Sequence, residues 1–327
     1  MIEAVARYHE LLTDEVAQAS QALLDDQLRR RHLSFGGRPL CNVLRPRLMS
    51  AQHHRRLQTR VRVLGRAFAR TYDAAIADRD FRAQFGLLDW EESLVAHDPG
   101  FRHPSPSSRF DLFVVDATGE MGLTEYNAET PAGPAFHDAL ADAFMSTPAM
   151  RLFERDYDLR PLMARHGVLH VLLNAWEQFS GGRSAPRIAI VDWPDVPTHN
   201  EFILFQEYFH GLGLECVIAD PRTMDYRGGK LYAGGEAVDL IYKRVLLSEL
   251  VADGGLDGPV IRAVRDRAVC MVNPFRCKIL HKKASLAVLD DERHEDMFPV
   301  EEREAIRAFI PWTRIVEERR TVYQDEE

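Results

Sequence analysis

The chain has 327 residues, 46% of them hydrophobic and 28% charged, with a formal net charge of −9. That length can bury a large core and suggests two domains, or one large one, rather than a small stapled module. The acidic balance with mixed signs argues against a nucleic-acid surface, and the Arg-rich stretches at 29–32 and 53–62 lie on helical patterns that read as solvated faces.

In chain order, residues 3–31 carry Val5, Tyr8, Leu11, Leu12 and Val16 at helical spacing and predict one long amphipathic helix. This N-terminus is acidic and has no cleavable apolar core. No apolar run in the chain approaches the roughly 20 residues that span a bilayer. A second helix is expected over about 55–78, with Val61, Leu64, Phe68 and Tyr72 on one face. The Pro/Ser-rich stretch 97–109 closes this helical part.

"RFDLFVVDATGEMGLTEYN" then reads as a hairpin, two β-rich runs around Ala117-Thr118-Gly119, with the glycine supplying a left-handed turn position. Helices are expected at 134–145 and 159–180. From 187 the period changes. A strand (187–193) leads to a helix with Phe202, Phe205, Phe209 and Leu212 on one face, then to a strand at 214–220. A Gly-Gly hairpin (228–235) and a strand at 238–244 follow. This order predicts an α/β unit with a largely parallel sheet. A helix (258–267), a buried strand (268–275), a basic segment (276–289), and a helix and strand within 300–318 complete the pattern. Cysteines at 41, 216, 270 and 277 make no disulfide framework. Cys270, Cys277 and His281 lack a second ligand pair, so ordinary thiols are expected rather than a zinc site. A cytoplasmic, soluble, reduced protein is the expectation.

The hairpin carries the chemistry. With a three-residue loop Asp116 faces Glu120, and counting back puts Asp111 opposite Glu125 and Arg109 opposite Asn127, all four on one face. Two carboxylates within about 5 Å repel each other unless a cation lies between them. Two carboxylates and an amide oxygen form a hard donor set suited to Mg²⁺, which prefers a few carboxylates plus nucleotide phosphates. An arginine beside them can hold a phosphoryl oxygen. The register alone leaves a second possibility open, an exposed hairpin face whose Asp–Arg pair is worth at most about 1 kcal/mol.

"RFDLFVVDATGEMGLTEYNAETPAG" resembles the metal-binding hairpin of the circularly permuted ATP-grasp proteins, in particular the glutathionylspermidine synthetase-like family. That family has Arg-x-Asp on one strand and a Glu-Tyr-Asn-Ala-Asp-like motif on the next. Three later stretches are similar to the family in the same order: "THNEFILFQEYFHGLGLECVIAD", "LYAGGEAVDLIYKRV" and "NPFRCKILHKKASLAVL". In the last, Lys283 matches the lysine that reaches the nucleotide phosphates.

The resemblance implies a mixed α/β fold in three parts. Residues 1–158 form a helical region with the hairpin at 109–127, residues 159–275 a pre-ATP-grasp-like α/β domain, and residues 276–327 the start of an incomplete permuted ATP-grasp part. It implies an ATP- and Mg²⁺-dependent carboxylate–amine ligase acting through an acylphosphate. The substrates would be a small-molecule or peptide carboxylate and an amine. On this implication Asp111, Glu125 and Asn127 are metal ligands and Arg109 is the catalytic residue. Lys283 binds the cofactor phosphates. Independently of the resemblance, Arg244 ends a strand where ligands of open α/β sheets bind, which makes it a candidate cofactor contact, with an ordinary salt bridge as the favoured role.

Lys282 is expected as a solvated charge, Asn200 as a helix cap beside Glu201, and His53, His54 and His199 as surface groups. The family continues past this point into a second nucleotide lysine and a glycine-rich lid. A partner or downstream segment would therefore complete the ATP site; alternatively, the chain is a non-catalytic remnant acting as a binding protein. A dinucleotide enzyme is disfavoured because "PDVPTHN", after the strand at 187–193, lacks Gly-x-Gly-x-x-Gly.

Overall fold

The computed structural model describes residues 1–115, 120–182, 184–318, 320–321 and 323. The first helical pattern divides in two. Helix α1 (Ile2–Leu11) ends, and α2 (Asp14–Arg30) begins where the Thr13 hydroxyl accepts from the Val16 N–H. That cap satisfies an orphan donor and starts a new helix instead of extending the old one. A two-residue ladder of β1 (Ser34–Phe35) and β2 (Arg38–Pro39) precedes α3 (Ala51–Ala77), which buries Leu64, Phe68 and Tyr72. Short helices α4 (Arg79–Ala83) and α5 (Asp89–Val95) follow.

Strands β3 (Arg109–Val114) and β4 (Met121–Asn127) pair antiparallel. Arg109 faces Asn127 and Asp111 faces Glu125, but beyond them the ladder slips by one, so Leu112 faces Leu123. The slip leaves Thr124 as a bulge residue, and its hydroxyl donates to the Asp111 carbonyl at 3.0 Å. A bulge reverses the two-residue alternation of a strand. Met121, Leu123 and Tyr126 are therefore all buried on the inner face, while Glu125 and Asn127 take the outer one. Near the turn, the Val115 N–H bonds the Glu120 carbonyl. Asp116 and the expected turn at Ala117-Thr118-Gly119 lie outside the described residues.

Helices α6 (Pro134–Ser146) and α7 (Pro148–Phe153) each start on a proline, whose missing N–H is no loss in a first turn. Helix α8 (Ala164–Ser180) starts five residues later than its pattern predicts. There the buried Asp138 of α6 accepts from the N–H groups of Ala164 and Arg165 at 2.8 and 3.0 Å, capping α8 from a neighbouring helix.

The second half alternates β5 (Ile188–Val191), α9 (His199–Gly211) and β6 (Cys216–Ala219). A meander of β7 (Asp225–Arg227), β8 (Lys230–Ala233) and β9 (Glu236–Val238) follows. Then come β10 (Leu240–Lys243), α10 (Leu247–Gly254), α11 (Pro259–Arg265) and β11 (Cys270–Val272). Four of these strands make a parallel sheet in the order β11-β10-β5-β6. Buried on both faces, β5 and β11 are unbroken apolar runs, and β10 is broken only by its last residue, the buried Lys243. The chain leaves β5 first toward β6 and later returns to β10 on its other side. Asp192 and Arg244 thus lie at the carboxyl ends of the strands flanking the switch point. Phe202, Phe205 and Phe209 bury against the sheet as expected, but Leu212 lies past the end of α9 and is 54% exposed.

Helices α12 (Cys277–His281), α13 (Ala284–Leu289) and α14 (Val300–Phe309) close the chain onto α3 and the hairpin. Leu64, Phe68, Leu123, Tyr126, Leu286 and Phe309 share one hydrophobic cluster. The strand expected after α14 is not formed among the described residues; Pro311 instead lies against Gly122 of the hairpin. No helix of the described residues is long and apolar enough to cross a membrane.

Candidate functional site

The outer face of the hairpin gathers four polar side chains. Arg109 clasps the Asp111 carboxylate with two parallel bonds, Nε to Oδ1 at 2.7 Å and Nη2 to Oδ2 at 3.0 Å. Its Nη1 donates to the Ala132 carbonyl at 2.6 Å. The Asn127 amide donates to Asp111 Oδ2 at 3.1 Å. The Arg109 guanidinium, aided by the Asn127 amide and outweighing partial burial, holds the Asp111 carboxyl below the usual carboxylate range. Glu125, the cross-strand partner of Asp111, adds to the negative field on Arg109.

Among the described residues no three His, Cys, Asp or Glu side chains converge as a metal site. The hairpin supplies two carboxylates and one carboxamide on a face turned from the core. This fits a hard cation whose remaining ligands are phosphates and water. Such a cation competes with Arg109, because both Asp111 oxygens are already engaged.

Arg109 also forms part of the wall of a cleft of about 660 Å³. Ser107, Pro131 and Pro134 line it on the hairpin side, and Gly167, Val168 and Val171 of α8 on the other. Beneath it lies a buried polar cluster. Glu201 is fully buried; its Oε1 accepts from the N–H groups of Gly133 and Ala135 at 2.8 and 3.1 Å. Gly133 has φ +115°, a backbone conformation open to glycine but strained for other residues. Glu201 Oε2 accepts from Arg244 Nη2 at 3.2 Å, and Arg244 Nη1 donates to the Tyr242 hydroxyl at 3.2 Å. The Arg244 guanidinium lies over the Phe202 and Tyr242 rings at 5.2 and 5.4 Å, and its buried Nε has no partner among the described residues.

A second buried network sits where the chain leaves β4. Glu129 Oε1 accepts from the Leu247 N–H at 2.7 Å and lies 3.5 Å from Lys243 Nζ; Oε2 lies 3.0 Å from Lys278 Nζ. Burial alone pushes Glu129 up, but Lys243 and Lys278 more than reverse this and hold it at about 2. Glu91 joins through Lys278 at 3.3 Å and through Lys282.

The expected site residues are thus distributed unevenly. The structure brings Arg109, Asp111, Glu125 and Asn127 together. Arg244 is buried in the Glu201 cluster. Lys283 is exposed at the start of α13 and makes no ion pair among the described residues. Lys282 is not a solvated charge: it pairs with Glu91 and donates to the Gly86 carbonyl at 2.7 Å. Asn200 does not cap α9; its amide donates to Ser34 Oγ at 3.2 Å. His53 and His199 each bury a ring nitrogen without a partner among the described residues, so neither is a plain surface group. Burial pushes the Cys277 thiol up to about 12 and raises Cys270 as well, in keeping with ordinary thiols. Glu129 and Glu201 were not singled out by sequence as centres of networks, because their partners come from distant segments. The one available signal was their place beside the hairpin motif and at the start of a helix.

No family model matches this chain, and no curated protein matches it. Among solved structures it is similar to the apo form of a glutathione synthetase-like effector from Globodera pallida. The TM-score is 0.63 at 13% identity, over 92% of this chain and 72% of that one. At that identity the likeness is one of fold. The chain has a mixed α/β fold with a parallel four-stranded sheet, and it shares its overall fold with that effector.

Proposed function

We propose that the chain belongs to the circularly permuted ATP-grasp proteins and works as a Mg²⁺- and ATP-dependent carboxylate–amine ligase, with a partner or further segment closing over the nucleotide. The observation that carries this reading is the hairpin register. It sets Asp111 opposite Glu125 and Arg109 opposite Asn127 on the face away from the core. The fold likeness to a glutathione synthetase-like effector supports it.

In the reaction, the γ-phosphoryl group of ATP passes to a substrate carboxylate oxygen, leaving ADP and an acylphosphate. An amine then attacks the acyl carbon, forming the amide and releasing phosphate and a proton. Positioning and charge neutralisation dominate such chemistry. Mg²⁺ held by Asp111, Glu125 and Asn127 would neutralise phosphate charge. Arg109 would orient the carboxylate and steady the transferred group. Lys283, whose ammonium makes no ion pair among the described residues, would meet the nucleotide phosphates, and Arg244, whose buried Nε has no partner among the described residues, would contact a ligand oxygen.

A second reading rests on the Arg109–Asp111 pair itself. An acid already satisfied by an arginine and an amide needs no metal, which suits a binding protein that keeps the scaffold without turnover. Thermal melts with Mg²⁺ and a non-hydrolysable ATP analogue separate the two. Ligand at a hundred times its Kd adds about 2.7 kcal/mol to the native state. The ligase reading expects the midpoint to rise in the wild type and to stay put in Glu125→Gln. An unmoved wild-type midpoint favours the binding-protein reading, or a site that holds nucleotide only with its completing partner or segment present.

A further inference from the structure

We infer that the cleft beside Arg109 holds a carboxylate substrate with an uncharged, apolar body. This deepens the ligase reading by naming the class of its acid substrate. At about 660 Å³ the cleft has the volume of a small-ligand site. Arg109 is the one permanently charged residue among those that line it; proline, alanine and valine side chains supply most of the remaining wall, with the hydroxyls of Ser107 and Ser108 and the His137 imidazole at its polar positions. The Arg109 guanidinium has five N–H donors. Among the described residues three are engaged by Asp111 and Ala132, which leaves two for a ligand. A carboxylate can take them, whereas the largely apolar remainder of the wall offers a second charge on the ligand no permanently charged partner.

Gly167 supplies an independent observation. Glycine inside a helix is destabilising relative to alanine, yet Gly167 sits within α8, a helix of 17 residues. A Cβ built on it meets nothing within 4 Å, so no neighbour demands its small size. The space it leaves open belongs to the cleft.

The test titrates the full chain, without metal or nucleotide, with N-acetyl-leucine, its amide and N-acetyl-glutamate, followed by ligand-observed NMR. N-acetyl-leucine is expected to bind at millimolar concentration, with the other two at least about tenfold weaker, since charge-assisted hydrogen bonds and unpaired charge each weigh that much. Gly167→Leu should abolish binding while the melting midpoint holds or rises. Arg109→Gln should remove the preference for acid over amide. Equal binding of acid and amide by the wild type, undiminished binding by Gly167→Leu, or no binding of N-acetyl-leucine overturns the proposal. Because no nucleotide is present, these outcomes are independent of whether the ligase reading survives the melts described above.

Discussion

Glu129 and Asp192 are both buried acids, and they shift in opposite directions, Glu129 lowered by its lysines and Asp192 raised by burial. Lys243 and Lys278 keep Glu129 ionised down to about 2. Its stabilising contribution is therefore complete above its ordinary value of 4.5 and is lost as pH falls toward about 2. Glu129→Ala leaves the buried Lys243 ammonium without a carboxylate and Lys278 with Glu91 alone, and a loss of about 3–5 kcal/mol is expected in urea unfolding at neutral pH. Among the described residues Asp192 has no such close pairing. Burial lifts it to about 6 despite the Trp193 N–H bond and the more distant Arg244. Between its ordinary 3.8 and about 6, the folded chain binds a proton that the unfolded chain does not, so this residue's contribution falls as pH rises through that window. Asp192→Asn keeps an acceptor for Trp193 and is expected to stabilise by on the order of 1–2 kcal/mol above pH 6, with the gain fading near pH 4. Melting curves across pH check it, and a gain confined to acid pH would contradict the sign. At this scale the sequence was partly legible. Asp111 and Glu125 could be paired by counting along one hairpin, whereas Glu129 meets Lys243 and Lys278 across 114 and 149 residues, beyond any local pattern.

Among the elements, the hairpin turns on a residue that alternation does not reveal. Counting by twos sets Met121, Leu123, Glu125 and Asn127 on one face, which would bury the acid or expose the core. The bulge at Thr124 resolves the conflict by reversing the parity between Leu123 and Glu125. Deleting Thr124 removes that reversal, so a broadened, lowered thermal transition and loss of any Mg²⁺-nucleotide shift are expected together. A deletion variant that melts as the wild type would show the bulge to be dispensable. Gly133 belongs to the same scale. With φ at +115° it presents its N–H to Glu201, and Gly133→Ala is expected to lose about 1–3 kcal/mol in denaturant unfolding. Helix positions were read well wherever apolar spacing was regular. The boundaries that differed were set by side chains outside the pattern, Thr13 for α2 and Asp138 for α8.

Over the whole molecule, the change of period after residue 187 announced the parallel sheet, and the sheet followed. Apolar spacing could not show that α3, the inner face of the hairpin and α14 share one hydrophobic cluster. Contacts of that span depend on chain reversals that no local signal encodes. The packing has a functional consequence: with its inner face fixed against α3 and α14, the hairpin presents its acids outward on a firm support. The most direct test of that arrangement is a crystal soaked with Mg²⁺ and a non-hydrolysable ATP analogue. The account predicts a cation about 2.1 Å from one oxygen each of Asp111 and Glu125, with phosphate oxygens completing its shell and Asp111 no longer clasped through both oxygens by Arg109. Nucleotide bound elsewhere, with the Arg109–Asp111 pair intact and no cation between the strands, would contradict it.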